Sequence, residues 1–207
     1  MARFAALITA LLVSAIVGHR YIDRASGQTN SEGWITLFDG KNLDQWQAEA
    51  GDNAKWRIED GSIAVEKKDK DPKAIVNLVS KQSFTNFELR AEFWVSDDAN
   101  SGIYIRCTDP AKVNSKSAYE VNIFDTRPDP SFGTGAIVDV AKAATVLKAG
   151  GKWNTYEIVA KGSKFTVILN GVKTVVDAED SRFPSGRIAL QYGQGTVKFR
   201  KVQIKPL

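Results

Sequence analysis

Two pairs of polar residues stand at the spacing that puts side chains together on a β-strand. Glu120 and Asn122 are two residues apart and so share one face, leaving Tyr119, Val121 and Ile123 on an apolar face. Tyr104 and Arg106 share a face in the same way, opposite Ile103 and Ile105. If the two strands are neighbours in one concave sheet, a carboxylate, an amide, a phenol and a guanidinium converge. Such a group can move protons and hold hydroxyls. The plainer reading is a cross-strand ion pair between Glu120 and Arg106 on a wet sheet face, worth under about 1 kcal/mol. Scarcity narrows the chemistry further. The single histidine, His19, lies close to the N-terminus, and the single cysteine is Cys107. Beyond residue 27 there is therefore no Ser-His-Asp or Cys-His nucleophile pair and no imidazole zinc site. One thiol makes neither an internal disulfide nor a Cys-rich metal cluster, and Cys107 reads as an inert small hydrophobe. Acid–base work falls to carboxylates, Tyr or Lys, and a bound metal must take oxygen ligands.

The elements that would position these residues read as β almost throughout. Residues 87–93 alternate apolar and charged side chains, the period of a half-buried strand. Similar patterns cover 101–107, 119–124, 155–160, 165–169, 187–192 and 197–204. Asp60-Gly61 and Asn170-Gly171 suit two-residue hairpin turns, and Lys161-Gly162-Ser163 makes a third turn. Ten or so short strands at hairpin spacing predict an all-β fold of two antiparallel sheets packed face to face, with a closed barrel as the alternative. Residues 141–147 are expected to form one short helical segment. The Gly-rich run 132–136 lacks the strand-to-helix context of a phosphate loop and is expected as a flexible loop at a groove rim. Residues 66–73 and 109–117 read as solvated loops. Most of the five tryptophans are expected in the core, and Trp153-Asn154 is expected as sheet packing and a turn cap.

The chain has 207 residues, 43% hydrophobic and 25% charged, as expected of one domain and a leader. Arg3 precedes an apolar run over 4–18, and Ala25-Ser26-Gly27 offers small residues for cleavage before Gln28. Residues 1–27 are thus expected to be a signal segment, with an uncleaved anchor as the alternative, and 28–207 a single exported domain, periplasmic or extracellular. No membrane span is expected in that domain. The net charge of +4 falls to +2 once Arg3, Arg20, Arg24 and Asp23 are set aside, so no nucleic-acid partner is implied.

An ordered set of motifs then resembles a known family. Trp34-Ile35-Thr36-Leu37-Phe38-Asp39-Gly40 with Trp46, Trp56-Arg57-Ile58-Glu59-Asp60-Gly61, Asn100-Ser101-Gly102-Ile103 with Arg106, Glu120-Val121-Asn122-Ile123-Phe124-Asp125, Trp153-Asn154, and Gly186-Arg187-Ile188-Ala189-Leu190-Gln191 together look like the 3-keto-disaccharide hydrolase domain. The likeness runs over about residues 33–207. It implies a concanavalin-like jelly-roll β-sandwich acting on glycosides whose sugar carries a ketone at C3. Such a ketone acidifies the C2 hydrogen. Its removal by a base, expulsion of the C1 substituent and addition of water amount to hydrolysis. On this resemblance Glu120 is the candidate base and Arg106 the group that stabilises the enolate or orients a hydroxyl. Asp125 positions Arg106, acts as a second acid, or ligates an oxygen-preferring divalent cation such as calcium. Asn100, Tyr104, Asn122, Gln191 and Trp94 bind or stack on the sugar. Two departures stand out. The family pattern has a histidine two residues after its Leu-Gln pair, where this chain has Gly193, and its Glu-x-Gln reads Glu120-Val121-Asn122 here. A role carried by that histidine is absent or reassigned.

Two other functions fit the same sequence. A concanavalin-like sandwich can be a non-catalytic carbohydrate-binding module, since function resides in the site and not in the fold. An envelope protein that meets another chain through exposed aromatics is the third reading. Whether Glu120, Arg106 and Asn100 line one groove discriminates among them.

Overall fold

The computed structural model describes residues 29–52, 54–66 and 75–207. The segment expected to be a leader and most of the loop expected at 66–73 lie outside them. Among the described residues no helix is long and apolar enough to cross a membrane.

Thirteen strands follow in chain order: β1 Ile35–Phe38, β2 Trp46–Ala48, β3 Lys55–Glu59, β4 Ser62–Glu66, β5 Val76–Phe84, β6 Phe87–Val95, β7 Asn100–Cys107, β8 Tyr119–Ile123, β9 Trp153–Lys161, β10 Lys164–Leu169, β11 Val172–Glu179, β12 Gly186–Gln194 and β13 Val197–Pro206. They form two antiparallel sheets. One has eight strands in the order β11-β10-β9-β6-β13-β4-β3, with β1 also on β13, and the other five in the order β2-β5-β12-β7-β8. This is the expected two-sheet sandwich, not a closed barrel. Asp60-Gly61 and Asn170-Gly171 make the hairpin turns, with positive φ at all four residues.

Alternation places the core between the sheets. On β6, Phe87, Leu89, Ala91, Phe93 and Val95 are buried, while Glu88, Arg90, Glu92 and Trp94 face outward. They meet Ile103, Ile105, Val121, Ile188 and Leu190 from the five-stranded sheet. Each such side chain contributes about 1.5–3 kcal/mol on burial. The five-stranded sheet also carries a second, smaller apolar cluster of Val79, Tyr104, Cys107, Val113, Ala118 and Ala189. Val79, Tyr104 and Ala189 stand in cross-strand register with one another and with Glu120, so this cluster lies on the face turned away from the core. Burial holds Cys107 as the expected inert thiol.

Two local expectations fail. Residues 141–147 form no helix; the segment crosses the sandwich as irregular chain, tied by the Ala143 and Ala144 amides to the carbonyls of Ser131 and Thr174. The Gly-rich run is not a loose rim. It starts in a 3₁₀ turn at Pro130–Phe132, and Gly133, Thr134, Gly135 and Ala136 are buried. Gly135 and Ala136 exchange backbone bonds with Asn122, and the Thr174 hydroxyl donates to the Gly135 carbonyl. A side chain on Gly135 would strike Thr174 at 2.9 Å, so glycine is what lets the strap seal the edge of β8.

Candidate functional site

The outward face of the five-stranded sheet gathers polar groups from four strands. Register aligns Asn77 of β5, Gln191 of β12, Gly102 of β7 and Asn122 of β8 in one row, and Val79, Ala189, Tyr104 and Glu120 in the next. The Tyr104 hydroxyl donates to Glu120 Oε2 at 3.1 Å. Gln191 Nε2 donates to the Tyr104 oxygen at 3.0 Å and to Glu120 Oε1 at 3.1 Å. Gly102 makes room for this triad, because a Cβ there would lie 3.2 Å from both Cγ and Oε1 of Glu120. Asn100 lies on the same face one step along β7, its side chain over Gly193. Three carbonyl oxygens of the row, Asn77 Oδ1, Gln191 Oε1 and Asn122 Oδ1, are buried with no hydrogen-bond partner.

A second carboxylate borders the patch. Glu49, just past β2, accepts from Asn77 Nδ2 through Oε2 and from the Val113 amide through Oε1, each at 2.7 Å. It ties the 108–118 loop down beside Tyr104. The electrostatics are those of a screened acid. Burial raises the Glu120 carboxyl above its ordinary value, against the downward pull of the Tyr104 and Gln191 hydrogen bonds; Arg127 and Asp139 act on it with opposite signs. Burial and the charge of Glu120 push the Tyr104 phenol far up, so it stays a neutral donor.

Arg106, Asp125 and Trp94 do not join this group. Between the pairs Arg187↔Cys107 and Ala189↔Tyr104, β7 carries one residue more than β12, with Arg106 at φ +52°. This bulge breaks the two-residue period. Cys107 takes the face shared with Tyr104, and Arg106 turns to the core side. There its guanidinium lies 5.1 Å from the Phe165 ring, and the residue as a whole is 1% exposed. Its Nε donates to the Thr85 carbonyl at 2.9 Å and its Nη1 to the Gly162 carbonyl at 2.7 Å. Arg106 thus closes one end of the sandwich and makes no ion pair with Glu120. Asp125 is a loop clamp. Oδ1 accepts from the Thr134 hydroxyl at 2.5 Å, and Oδ2 from the Ala149 and Gly150 amides at 2.8 and 2.9 Å. Those donors occupy the oxygens that a calcium ion would need, so Asp125 does not fit a cation. Among the described residues no three His, Cys, Asp or Glu are grouped to hold one. Trp94 faces outward from the opposite, eight-stranded sheet. Its register partner Trp153 is 37% exposed and packs on that sheet face, 3.7 Å beneath the Arg200 guanidinium.

Relatives put this arrangement in context. The sequence profile described as the 3-keto-alpha-glucoside-1,2-lyase-like domain matches residues 33–205. The chain belongs to that family. A curated protein of Bacteroides thetaiotaomicron, named 3-keto-disaccharide hydrolase, is 30% identical over 162 residues, which are 65% of this chain and 55% of that protein. The chain thus spans about half the length of the curated relative it matches. A Parabacteroides distasonis crystal structure, provisionally named a glycosyl hydrolase, superposes with a TM-score of 0.72 at 22% identity, covering 85% of this chain and 94% of the other. The carbohydrate-binding module CBM66 of Bacillus subtilis superposes with a TM-score of 0.58 at 18% identity, covering 86% and 99%. These two likenesses establish the jelly-roll fold.

Within the 3-keto-alpha-glucoside-1,2-lyase-like family, the glycine at 193 has a structural consequence. Gly193 shares the face of Gln191, and a Cβ there would lie 3.0 Å from the Asn100 carbonyl oxygen and 3.2 Å from its Nδ2. Asn100 thus packs where a side chain at 193 would emerge, and the described residues contain no imidazole. Sequence reasoning brought Glu120, Tyr104, Asn122, Gln191 and Asn100 to one face but missed Asn77 and Glu49. A signal for Glu49 was present. Trp46 as a core residue implies that Gln47 and Glu49 point the other way.

Proposed function

We propose that this chain cleaves 3-keto-glycosides, with Glu120 as the base that removes the C2 proton. The supporting observation is a half-buried carboxylate that accepts from two neutral donors and forms no direct ion pair with a described cation, Arg127 acting on it only through its charge. Glu120 takes the proton made acidic by the C3 ketone. The electron pair forms the enolate, then expels the C1 oxygen substituent, which takes the proton held by Glu120 and leaves as the aglycone alcohol, returning Glu120 to the carboxylate. Water adds across the resulting C1–C2 double bond, hydroxyl to C1 and proton to C2. Once Glu120 is protonated it is a weaker acceptor, and the Tyr104 hydroxyl turns to the enolate oxygen, the part first assigned to Arg106. Asn77, Asn122 and Gln191 offer carbonyl acceptors to sugar hydroxyls. The family membership and the name of the Bacteroides relative favour this substrate class. We place the reaction outside the cytoplasm, on the strength of residues 1–27; N-terminal sequencing of the secreted chain checks that placement.

The missing imidazole at 193 favours a second reading, a module that binds the sugar without cleaving it. Incubation with a 3-keto-disaccharide in D2O, followed by NMR with and without a chelator, separates the two. Deuterium at C2 with aglycone release supports cleavage by protein groups alone. Saturable binding with no exchange at C2 overturns it.

A further inference from the structure

A cleft of about 580 Å³ opens at one end of the sandwich, between β5 and β12 of the five-stranded sheet and β1 and β13 of the other. Ile35, Phe84 and Leu207 supply apolar wall, while Lys81, Gln82 and Arg187 supply polar groups. It contains none of Glu120, Tyr104, Gln191, Asn77 or Glu49, and no Asp or Glu side chain lines it. Arg187 is half-buried, yet its guanidinium bonds to no described residue, and Nη1 is buried without a partner. Gln82 Oε1 in the same wall is also buried without a partner. A partly desolvated guanidinium is costly when left unpaired, and its planar fork matches an oxyanion through two parallel hydrogen bonds. The orphaned amide oxygen asks for a hydroxyl donor. The volume falls within the roughly 300–1,000 Å³ of small-molecule sites.

We propose that this cleft binds a small hydroxylated oxyanion, a carboxylate or phosphate on a sugar-sized body. Arg187 grips the anion, Lys81 at the mouth adds attraction, and Gln82 accepts from a neighbouring hydroxyl. The full chain is titrated with glucuronate, glucose 6-phosphate, inorganic phosphate and glucose, following the arginine Nε–H signals by NMR and the melting temperature. Glucuronate or glucose 6-phosphate saturably shifts the Arg187 signal and raises Tm, and glucose does neither. Stronger binding of one arm identifies carboxylate or phosphate as the preferred source, and weaker binding of inorganic phosphate supports the hydroxyl contact. Arg187→Gln weakens binding about tenfold or more. Lys81→Gln, at an exposed position where folding is not at stake, weakens it by a smaller factor that added salt removes. Glu120→Gln leaves it unchanged, which separates this cleft from the proposed catalytic face. Equal shifts with glucose, no saturable shift with any anion, or full affinity in both cation variants overturns the proposal.

Discussion

Replacing Glu120 by glutamine tests the proposed base with little change of shape. The variant keeps one carbonyl to accept from the Tyr104 hydroxyl and presents an amide group where Oε1 now accepts from Gln191 Nε2. Donor then faces donor. A half-turn of the Gln191 amide relieves this, since its Oε1 has no partner, and gives up the bond to the Tyr104 oxygen. The exchange costs at most one neutral hydrogen bond, about 1 kcal/mol, and it also removes a poorly solvated charge. The unfolding midpoint in urea therefore moves little. Turnover does not share that tolerance. Loss of a general base costs roughly 10²–10⁴-fold, or about 3–5 kcal/mol of barrier. Rates of C2 deuteration and aglycone release by NMR measure it, with KM nearly unchanged. The pH dependence carries a second sign. Burial raises the Glu120 pKa, so stability from its protonated form is present at low pH and lost as pH rises through the folded-state value. Activity needs the carboxylate and rises over the same interval. The acid limb of kcat/KM should have its midpoint above about 4.3, the ordinary glutamate value. A well-folded Glu120→Gln variant within tenfold of the parent rate refutes the assignment.

Gly102→Ala pushes a methyl to 3.2 Å from Glu120 Oε1 and Cγ, so kcat falls by about tenfold or more while the urea midpoint shifts little; equal losses in both would point to a packing defect. Arg106→Met gives up the hydrogen bonds from the guanidinium to the carbonyls of Thr85 and Gly162 and costs roughly 1–3 kcal/mol in denaturant titration, and an unchanged midpoint would contradict its role as a structural plug. Burial raises the Cys107 thiol to about 11, leaving only about one thiolate in a thousand at pH 8. Iodoacetamide should label the native chain slowly and the unfolded chain fast; rapid native labelling would show the thiol to be open.

The sandwich was legible because burial on one side writes itself into a strand as a two-residue period, plain in residues 87–93 and 119–123. Turn chemistry at Asp60-Gly61 and Asn170-Gly171 set hairpin lengths by the same local logic. The expected helix at 141–147 failed for a tertiary reason. Its alanines suit a helix, but its amides are claimed by Ser131 and Thr174. Arg106 was misplaced because a single inserted residue inverts the alternation from which its direction was read, and nothing in the local pattern marks the bulge.

Chain-local physics alone determined which residues alternate, and hence that Glu120 and Asn122 turn from the core together. It also determined, by leaving no imidazole past residue 27 and a single thiol, that any acid–base chemistry rests on carboxylates, Tyr or Lys. Tertiary structure decided which strands lie side by side, and so which residues meet. Gln191 reaches Tyr104 across 87 positions of sequence, and Asn77 reaches Glu49 across 28. Register between distant strands is a property of the assembled sheet, settled by the packing of two whole faces against each other. That packing sent the Arg106 guanidinium to the core side and left Glu120 among neutral donors.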